Sequence, residues 1–235
     1  MDSINRYEKR IFSQNGEDGI VEELFSRIGT TNRFFVEFGV ETGEECMSRN
    51  LACVHNWSGI LLEGHPLKHL YLQQNYAAYP QVATHQAFIT MENIAALFAR
   101  LQVPPEFDLL TIDLDGIDYW VWKALHAYKP RVVIIEYNAS FPPPQKRVVA
   151  YDPAFSWKGT TYFGASLTSL AELGKKLGYA LIGTDSRGVN AFFVRRDLLA
   201  RSGFAELTPE AAYHPPSYGA AGGGHPHGTG PWLEI

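Results

Sequence analysis

Short apolar runs alternate with amphipathic segments along most of this chain. Five runs rich in β-branched and aromatic residues predict strands, at residues 33–40, 58–64, 81–88, 107–113 and 130–138. Segments with apolar residues at helical spacing surround them, at residues 16–28, 45–55, 66–76, 91–101, 118–126 and 166–178. Because strand and helix alternate, the pattern predicts an α/β fold, with a parallel sheet covered by helices on both faces.

The later part of the chain departs from this alternation. Two apolar runs, at 179–185 and 190–196, are joined through the turn signal Ser-Arg-Gly at 186–188, which predicts an antiparallel pair at the edge of the sheet. We predict one domain over residues 1–205, with a helical lead-in over 1–32 and a long substrate loop over 139–165. Residues 206–235 are rich in Gly, Pro and His and are predicted to form a loop or a mobile lid.

Composition narrows the class of protein. With 46% hydrophobic and 19% charged residues the chain is typical of a globular protein, and its net charge of −5 supplies no basic surface for nucleic acid. No apolar run is long enough to predict a membrane span. Cys46 and Cys53 are predicted on one face of the helix at 45–55, as free thiols. We expect a cytoplasmic protein that acts on a small-molecule substrate, and leave open whether it forms a homo-oligomer.

Polar residues and glycines stand where the predicted strands stop, which is where open parallel sheets bind ligands. The first strand ends at Glu37 and continues through Gly39, Glu41 and Gly43, and this glycine pair allows a tight turn close to a ligand. The second strand ends at Glu63, where a carboxylate can accept both hydroxyls of a ribose. Together these features favour a nucleotide-like cofactor over plain turns.

These features resemble the class I S-adenosylmethionine-dependent methyltransferases, and most closely the FkbM-type family. The matching motifs are the turn E-x-G-x-x-x-G at 37–43, the acid Glu63, the strand ending I-D-L-D-G-I-D at 112–118 and the opening S-Q-N-G-E-D at 13–18. The resemblance implies a doubly wound, Rossmann-like sheet of seven mostly parallel strands with an antiparallel edge strand. It also implies S-adenosylmethionine as the cofactor.

The resemblance further implies where that cofactor lies. Gly39 and Gly43 would contact its methionine part, Glu63 its ribose, and Ala87 with Phe88 its adenine. Glu41 departs from the pattern, since many relatives carry a neutral residue there, and its carboxylate could repel the cofactor's carboxyl group or bind its ammonium group. The predicted cofactor-binding residues are Glu37, Gly39, Glu41, Gly43, Glu63, Ala87, Phe88 and Asp113.

The stretch FDLLTIDLDGIDYWVW, residues 107–122, brings three acids to the end of the fourth strand. Asp113 is the first polar residue after the apolar run and is predicted to point at the reactive end of the cofactor. Asp118 is expected to N-cap the helix that follows. Asp115 is expected to shape the turn before Gly116 and to help at the rim of the substrate site.

The fifth strand ends at Glu136 and Asn138, beside Asp113 in the predicted topology. Acid and amide oxygens are ligands that Mg²⁺ prefers, and the catechol O-methyltransferases look similar at these two strand ends. Asp113, Glu136 and Asn138 are therefore predicted to hold Mg²⁺ or another divalent metal, which would lower the pKa of a bound hydroxyl. A metal-free reaction with Asp113 or Glu136 as general base stays open at this point.

The leading hypothesis is methyl transfer to a hydroxyl of a sugar or natural product, with Asp115, Trp157 and Tyr162 on the substrate side. A nicotinamide-dependent oxidoreductase is less favoured, because G-x-x-x-G lacks the G-x-G-x-x-G spacing. A non-catalytic relative that binds S-adenosylmethionine or another metabolite is the third possibility. In the tail, the motif His225-Pro-His227 predicts either adventitious metal binding or a base carried by a lid.

Overall fold

A computed structural model describes residues 2–219 and 222–235 as an α/β arrangement around a seven-stranded sheet. The strands of this sheet are β1 (Phe34–Phe38), β2 (Ser58–Glu63), β3 (Val82–Gln86), β4 (Leu109–Ile112), β5 (Val132–Glu136), β7 (Tyr179–Thr184) and β8 (Asn190–Arg195). Their order is β3-β2-β1-β4-β5-β8-β7, and β8 runs antiparallel to both of its neighbours. The predicted mostly parallel sheet with an antiparallel edge pair is confirmed.

Helices cover both faces of the sheet. They are α1 (Glu17–Ile28), α2 (Arg49–Cys53), α3 (Pro66–Tyr76), α4 (Ile94–Arg100), α5 (Asp118–Ala124), α6 (Leu167–Leu177), α7 (Leu199–Ser202) and α8 (Pro209–Ala212), with 3-10 turns at Ile4–Tyr7 and Arg196–Leu198. Adjacent residues of β1 belong to opposite cores, as the two-residue period of a strand requires. Phe35 belongs to the same core as Leu24 of α1, while Val36 belongs to the core that contains Phe98 of α4. No helix within the described residues is long and apolar enough to cross a membrane.

The predicted helix over 45–55 is much shorter in the structure, where α2 begins only at Arg49. The buried carboxylate of Glu37 explains the difference, because it accepts hydrogen bonds from the N–H groups of Met47 and Ser48, both at 2.9 Å. These bonds hold the preceding residues in a non-helical path. Cys46 therefore lies before the helix and Cys53 at its end, so the prediction of a shared helix face is wrong, although both thiols are free.

The C-terminal segment packs onto the substrate loop. Strand β9 (Trp232–Leu233) pairs antiparallel with β6 (Val148–Val149) in a second, two-stranded sheet. The Tyr137 hydroxyl donates to the His214 carbonyl at 2.7 Å, and the Ser169 hydroxyl to the Ile235 carbonyl at 3.1 Å. The sequence pattern predicted neither short strand, because a two-residue strand is stabilised by its distant partner and not by local periodicity.

Candidate functional site

A cleft of about 510 Å³ opens at the carboxyl ends of the parallel strands. One row of paired residues crosses β2, β1, β4 and β5 near their carboxyl ends: Leu62, Phe38, Ile112 and Ile135. The residues that follow them form the next row: Glu63, Gly39, Asp113 and Glu136. Strand β1 lies between β2 and β4: the chain passes from β1 to β2 and β3 on one side and then crosses to β4 and β5 on the other. Open α/β sheets bind ligands at such a switch point.

Gly39 joins the turn after β1 to the turn after β4. Its φ of +69° lies in the left-handed region, and a Cβ atom there would stand 1.6 Å from the Asp113 carbonyl oxygen. Only glycine fits such a contact. Gly39 lines the cleft, and its substitution would also displace the segment that carries Asp113.

Gly43, which the resemblance predicts to contact the cofactor's methionine part, packs against α3 in the structure. Its φ is +76°, and a Cβ atom there would meet Leu72 at 2.5 Å and the ring of Tyr76 at 2.6 Å. The Tyr76 hydroxyl also donates to the Gly43 carbonyl at 3.1 Å. Gly43 therefore serves the packing of the loop on α3 and lies outside the residues that line the cleft.

Glu63 is buried and held in place by its neighbours. Its carboxylate accepts hydrogen bonds from the Glu41 N–H at 2.8 Å and the His65 N–H at 2.7 Å. Each oxygen of an ionised carboxylate can accept a further bond, so these contacts orient Glu63 without exhausting it. The Glu63 carbonyl accepts from the Ala87 N–H at 3.0 Å, which places the 87–88 turn beside β2, with Phe88 60% exposed.

The extra carboxylate of Glu41 has a cationic partner. Glu41 adopts a left-handed φ of 51°, and its side chain forms an ion pair with Lys68 of α3. The negative charge that departs from the family pattern is therefore compensated within the protein. The backbone N–H of Glu41 meanwhile donates to the Glu63 carboxylate and orients it.

Three carboxylates converge at the centre of the cleft. One oxygen from each of Asp113, Asp115 and Glu136 lies within 4.8 Å of the others. Burial and repulsion from Asp115 and Asp118 raise the pKa of Asp113 well above its usual range, and burial with repulsion from Asp113 does the same to the pKa of Glu136. Within the described residues, the buried Oε2 of Glu136 has no hydrogen-bond partner. Close, uncompensated acids of this kind favour a bound cation.

Asp118 anchors the turn between Asp113 and α5 rather than capping the helix. It is the first helical residue, and Ile117 occupies the N-cap position. Its carboxylate accepts from the Leu114 N–H at 2.7 Å and the Gly116 N–H at 2.9 Å. Complete burial raises its pKa to about 6, partly offset by those bonds. The N-cap prediction is therefore wrong, but the structural role is retained.

Asn138 does not join the carboxylates, and its prediction as a metal ligand is not supported by the structure. It is fully buried, its Nδ2 donates to the carbonyls of Thr161 and Phe163, and its Oδ1 accepts from the Ser140 N–H. The amide thus clamps the two ends of the substrate loop, and it lies outside the cleft lining. Asp115, predicted for the substrate side, supplies the third carboxylate instead.

The two aromatic residues predicted for the substrate side differ in position. Trp157 lines the cleft. Tyr162 instead supports the C-terminal segment, because its hydroxyl donates to the Pro231 carbonyl at 3.0 Å and its ring lies 5.1 Å from that of Trp232. Tyr162 therefore stabilises the wall behind the site and lies outside the residues that line it.

Two distant segments complete the cleft, and the sequence interpretation missed most of their residues. The N-terminal segment contributes Gln14, Asn15 and Glu17. The C-terminal segment contributes Tyr218, Gly219 and His225. Two sequence motifs pointed to part of these segments: the motif at 13–18 contains Gln14, Asn15 and Glu17, and the motif His225-Pro-His227 contains His225.

The cleft as a whole is acidic. Its lining includes eight carboxylates: Glu17, Glu37, Glu41, Glu44, Glu45, Asp113, Asp115 and Glu136. Within the part of the chain that the structure describes, the lining contains no Lys or Arg. The electrostatic field therefore favours a positively charged ligand and opposes an anionic one.

Comparisons with known proteins support the fold. No known family profile matches the sequence, and no curated sequence relative matches it. Among solved structures, the N-terminal domain of EvdMO1, crystallised in the presence of SAH and D-fucose, matches with a TM-score of 0.51 and 13% identity over 80% of this chain and 85% of that one. A proposed caffeoyl-CoA O-methyltransferase from Staphylococcus aureus matches with a TM-score of 0.51 and 15% identity, over 79% and 85%.

A third similar structure is PKMT2 from Rickettsia typhi in complex with AdoHcy, with a TM-score of 0.52 and 7% identity over 79% of this chain and 54% of that one. The chain therefore shares a Rossmann-like α/β fold with these three structures, of which one was crystallised in the presence of SAH, one is a complex with AdoHcy and one is described as an O-methyltransferase. The narrower FkbM-type resemblance rests on the sequence motifs alone.

Proposed function

We propose that this chain is an S-adenosylmethionine-dependent methyltransferase whose acceptor is a hydroxyl group of a sugar or another natural product. The observation that carries the proposal is the row of Glu63, Gly39, Asp113 and Glu136 along the switch point of this fold. It places a carboxylate suited to a ribose beside a glycine turn and a group of acids at one edge of the sheet, where Gly39, Asp113 and Glu136 line the cleft and Glu63 lies next to it.

The cofactor is proposed to lie across the ends of β2, β1 and β4. Glu63 would accept the ribose hydroxyls, and the turn at Gly39 would lie against the methionine part. Ala87 and Phe88 would meet the adenine, which agrees with the exposure of Phe88. The acidic lining suits the donor, because S-adenosylmethionine carries a sulfonium and an ammonium group.

The acids at the ends of β4 and β5 fit a divalent cation. Asp113, Asp115 and Glu136 supply three hard oxygen ligands, and Mg²⁺ binds such sets while keeping positions for water or substrate oxygens. A bound metal would lower the pKa of an acceptor hydroxyl and orient it. The positions of these three side chains would fix where the methyl group is transferred. Asp118 holds the turn that carries Asp113 and Asp115.

Alignment supplies much of the remaining rate enhancement. The sulfonium methyl group is already activated, so the protein needs to hold the acceptor oxygen in line with it and exclude water. Trp157 and three residues of the C-terminal segment, Tyr218, Gly219 and His225, line the same cleft as these carboxylates. We therefore assign the acceptor to the space between Trp157 and the carboxylates.

Calorimetric titration with S-adenosylhomocysteine, S-adenosylmethionine and NAD tests the cofactor class directly. The proposal predicts binding of the first two and not of NAD. Incubation with labelled S-adenosylmethionine, Mg²⁺ and a panel of sugars and polyphenols, followed by mass spectrometry, then tests transfer. Binding of NAD alone would contradict the proposal, and cofactor binding without transfer to any acceptor class would favour a non-catalytic binder.

A further inference from the structure

The C-terminal segment brings a histidine into the cleft by a defined set of contacts. The Thr161 N–H donates to the Pro226 carbonyl at 2.9 Å, and the Gly228 N–H donates to the Thr161 hydroxyl oxygen at 3.0 Å. Both bonds are made within three residues after His225 and tie this part of the C-terminal segment to the substrate loop. His225 consequently lines the same cleft as Asp113 and Glu136.

Aromatic side chains surround the imidazole of His225. The ring centroids of Trp157, Tyr218 and Phe163 lie 4.5, 5.1 and 5.9 Å from that of the imidazole. Two of these rings come from the substrate loop and one from the C-terminal segment. Contacts from three rings hold the imidazole plane, which is what a group needs if it is to meet a substrate atom in one orientation.

The other titratable groups of the cleft are engaged elsewhere. Under the proposed function, on which this inference rests, Asp113, Asp115 and Glu136 hold the cation. Glu37 accepts two backbone N–H groups, and Glu41 pairs with Lys68.

The acids near the N-terminal segment are likewise occupied. Glu17 accepts bonds from the amides of Asn15 and Asn190, and Glu45 pairs with Arg10. Glu44, which bonds Thr42, is exposed at the rim. Burial raises the pKa of Tyr218, so its hydroxyl keeps its proton.

His225 differs from all of these groups. Burial lowers the pKa of its imidazole, with Asp115 acting in the opposite direction. A neutral imidazole offers a lone pair to a proton donor.

We propose that His225 is a catalytic residue that takes the proton from the acceptor hydroxyl during methyl transfer. In this step the acceptor O–H bond breaks and its proton moves to the free ring nitrogen of His225. The acceptor oxygen forms a bond to the methyl carbon while the sulfur–methyl bond breaks, and its electron pair stays on sulfur. S-adenosylmethionine becomes S-adenosylhomocysteine, the acceptor becomes a methyl ether, and the imidazolium later returns its proton to water.

The test uses 4-nitrocatechol, a small bidentate hydroxyl ligand whose visible absorption changes as its hydroxyl groups ionise. Wild type, His225→Phe and His227→Phe are each titrated with it, in the presence of Mg²⁺ and S-adenosylhomocysteine. His225→Phe keeps a ring among Trp157, Phe163 and Tyr218 but lacks a proton acceptor. His227 is exposed and two residues away, so it provides the matched control.

We expect the bound probe to ionise at a lower pH in wild type and His227→Phe than in His225→Phe, with similar affinity for S-adenosylhomocysteine in all three. With S-adenosylmethionine, methylation of the probe by His225→Phe should fall roughly 10²–10⁴-fold. Added imidazole should restore part of the rate of His225→Ala, which a purely structural role would not allow.

Equal ionisation of the probe by His225→Phe and wild type would overturn the proposal. Failure of wild type to bind the probe with Mg²⁺ would also overturn it, because the acceptor site on which it depends would be absent. Binding of S-adenosylhomocysteine, measured alone, separates these outcomes from failure of the proposed function, since loss of cofactor binding in wild type contradicts the methyltransferase assignment itself.

Discussion

Asp108 and Asp113 stand at opposite ends of β4 and have opposite surroundings. Asp108 is fully buried, pairs with Arg131 at 3.3 Å and accepts hydrogen bonds from the N–H groups of Thr31, Asn32 and Arg33. Asp113 is half-buried and faces Asp115 and Glu136, and its pKa is raised by burial and by the charges of Asp115 and Asp118. One acid is compensated in the folded chain, and the other is left for a ligand.

This difference separates stability from function along a single strand. A compensated buried charge contributes to folding only while its partners remain, and removing one partner is costly. An uncompensated group of acids costs stability in the free protein and contributes to binding when a cation arrives. The amino end of β4 therefore serves the fold, and its carboxyl end the proposed reaction.

Substitution of the two aspartates should give the largest contrast. Asp108→Ala leaves Arg131 buried without its partner and should lower the free energy of unfolding by about 3–5 kcal/mol. Asp113→Asn removes a repelling charge and should leave the free energy of unfolding unchanged or higher at pH 7. Urea unfolding of both variants measures this, and comparable destabilisation by Asp113→Asn would break the comparison.

The stability of the Asp118 turn should depend on pH. The pKa of Asp118 is raised from 3.8 to about 6, so the native state keeps a proton that the unfolded chain has already lost between these values. The free energy of unfolding should therefore fall as pH rises from 4 to 6, by up to about 3 kcal/mol from this group. Asp118→Asn removes the titration, so the wild type should lose stability relative to the variant over this range. A constant difference between the two urea-unfolding curves would contradict the assignment.

Much of the fold and part of the site follow from local sequence patterns. Apolar runs end where strands end, so the positions of Glu63, Asp113 and Glu136 along the chain are enough to assign them to the sheet edge. Parallel pairing of β2, β1, β4 and β5 without a shift in register then brings these residues to the same edge of the sheet. The antiparallel pair was likewise predictable from two apolar runs joined by a short turn.

What could not be predicted depends on contacts between distant segments. Asn138 bonds the backbone at Thr161 and Phe163, and Tyr162 bonds Pro231, so neither side chain is available where its sequence position suggested. Asp118 turns back to Leu114 and Gly116 because those N–H groups are close in the folded turn. Side-chain direction is set by such partners and not by residue type.

Glu63→Ala should weaken S-adenosylhomocysteine binding by roughly 1.5–3 kcal/mol, the range for hydrogen bonds to a charged group. The substitution removes the proposed bonds to the ribose and also the bonds that Glu63 accepts from the Glu41 and His65 N–H groups, and both changes contribute to the loss of affinity. Isothermal titration measures the dissociation constant, and circular dichroism of the variant controls for folding. An unchanged constant would remove Glu63 from the ribose site.

Glu41→Gln should have the smallest effect on cofactor affinity. The Glu41–Lys68 ion pair is solvent-exposed, and such pairs contribute about 0.2–1 kcal/mol, while the backbone N–H that orients Glu63 is unaffected by the substitution. Isothermal titration with S-adenosylhomocysteine measures the dissociation constant of this variant as well. A loss as large as that of Glu63→Ala would show that the Glu41 carboxylate binds the cofactor directly.

Binding of Mn²⁺ by wild type and Asp113→Asn, followed by calorimetry and electron paramagnetic resonance at pH 7 with S-adenosylhomocysteine present, tests the central claim most directly. We predict one Mn²⁺ per wild-type chain, because Asp113, Asp115 and Glu136 bring three carboxylate oxygens together at this position. Asp113→Asn should lose this binding while keeping its cofactor affinity. Equal Mn²⁺ binding by both proteins, or none by wild type, would contradict the assignment of the uncompensated end of β4 to a cation.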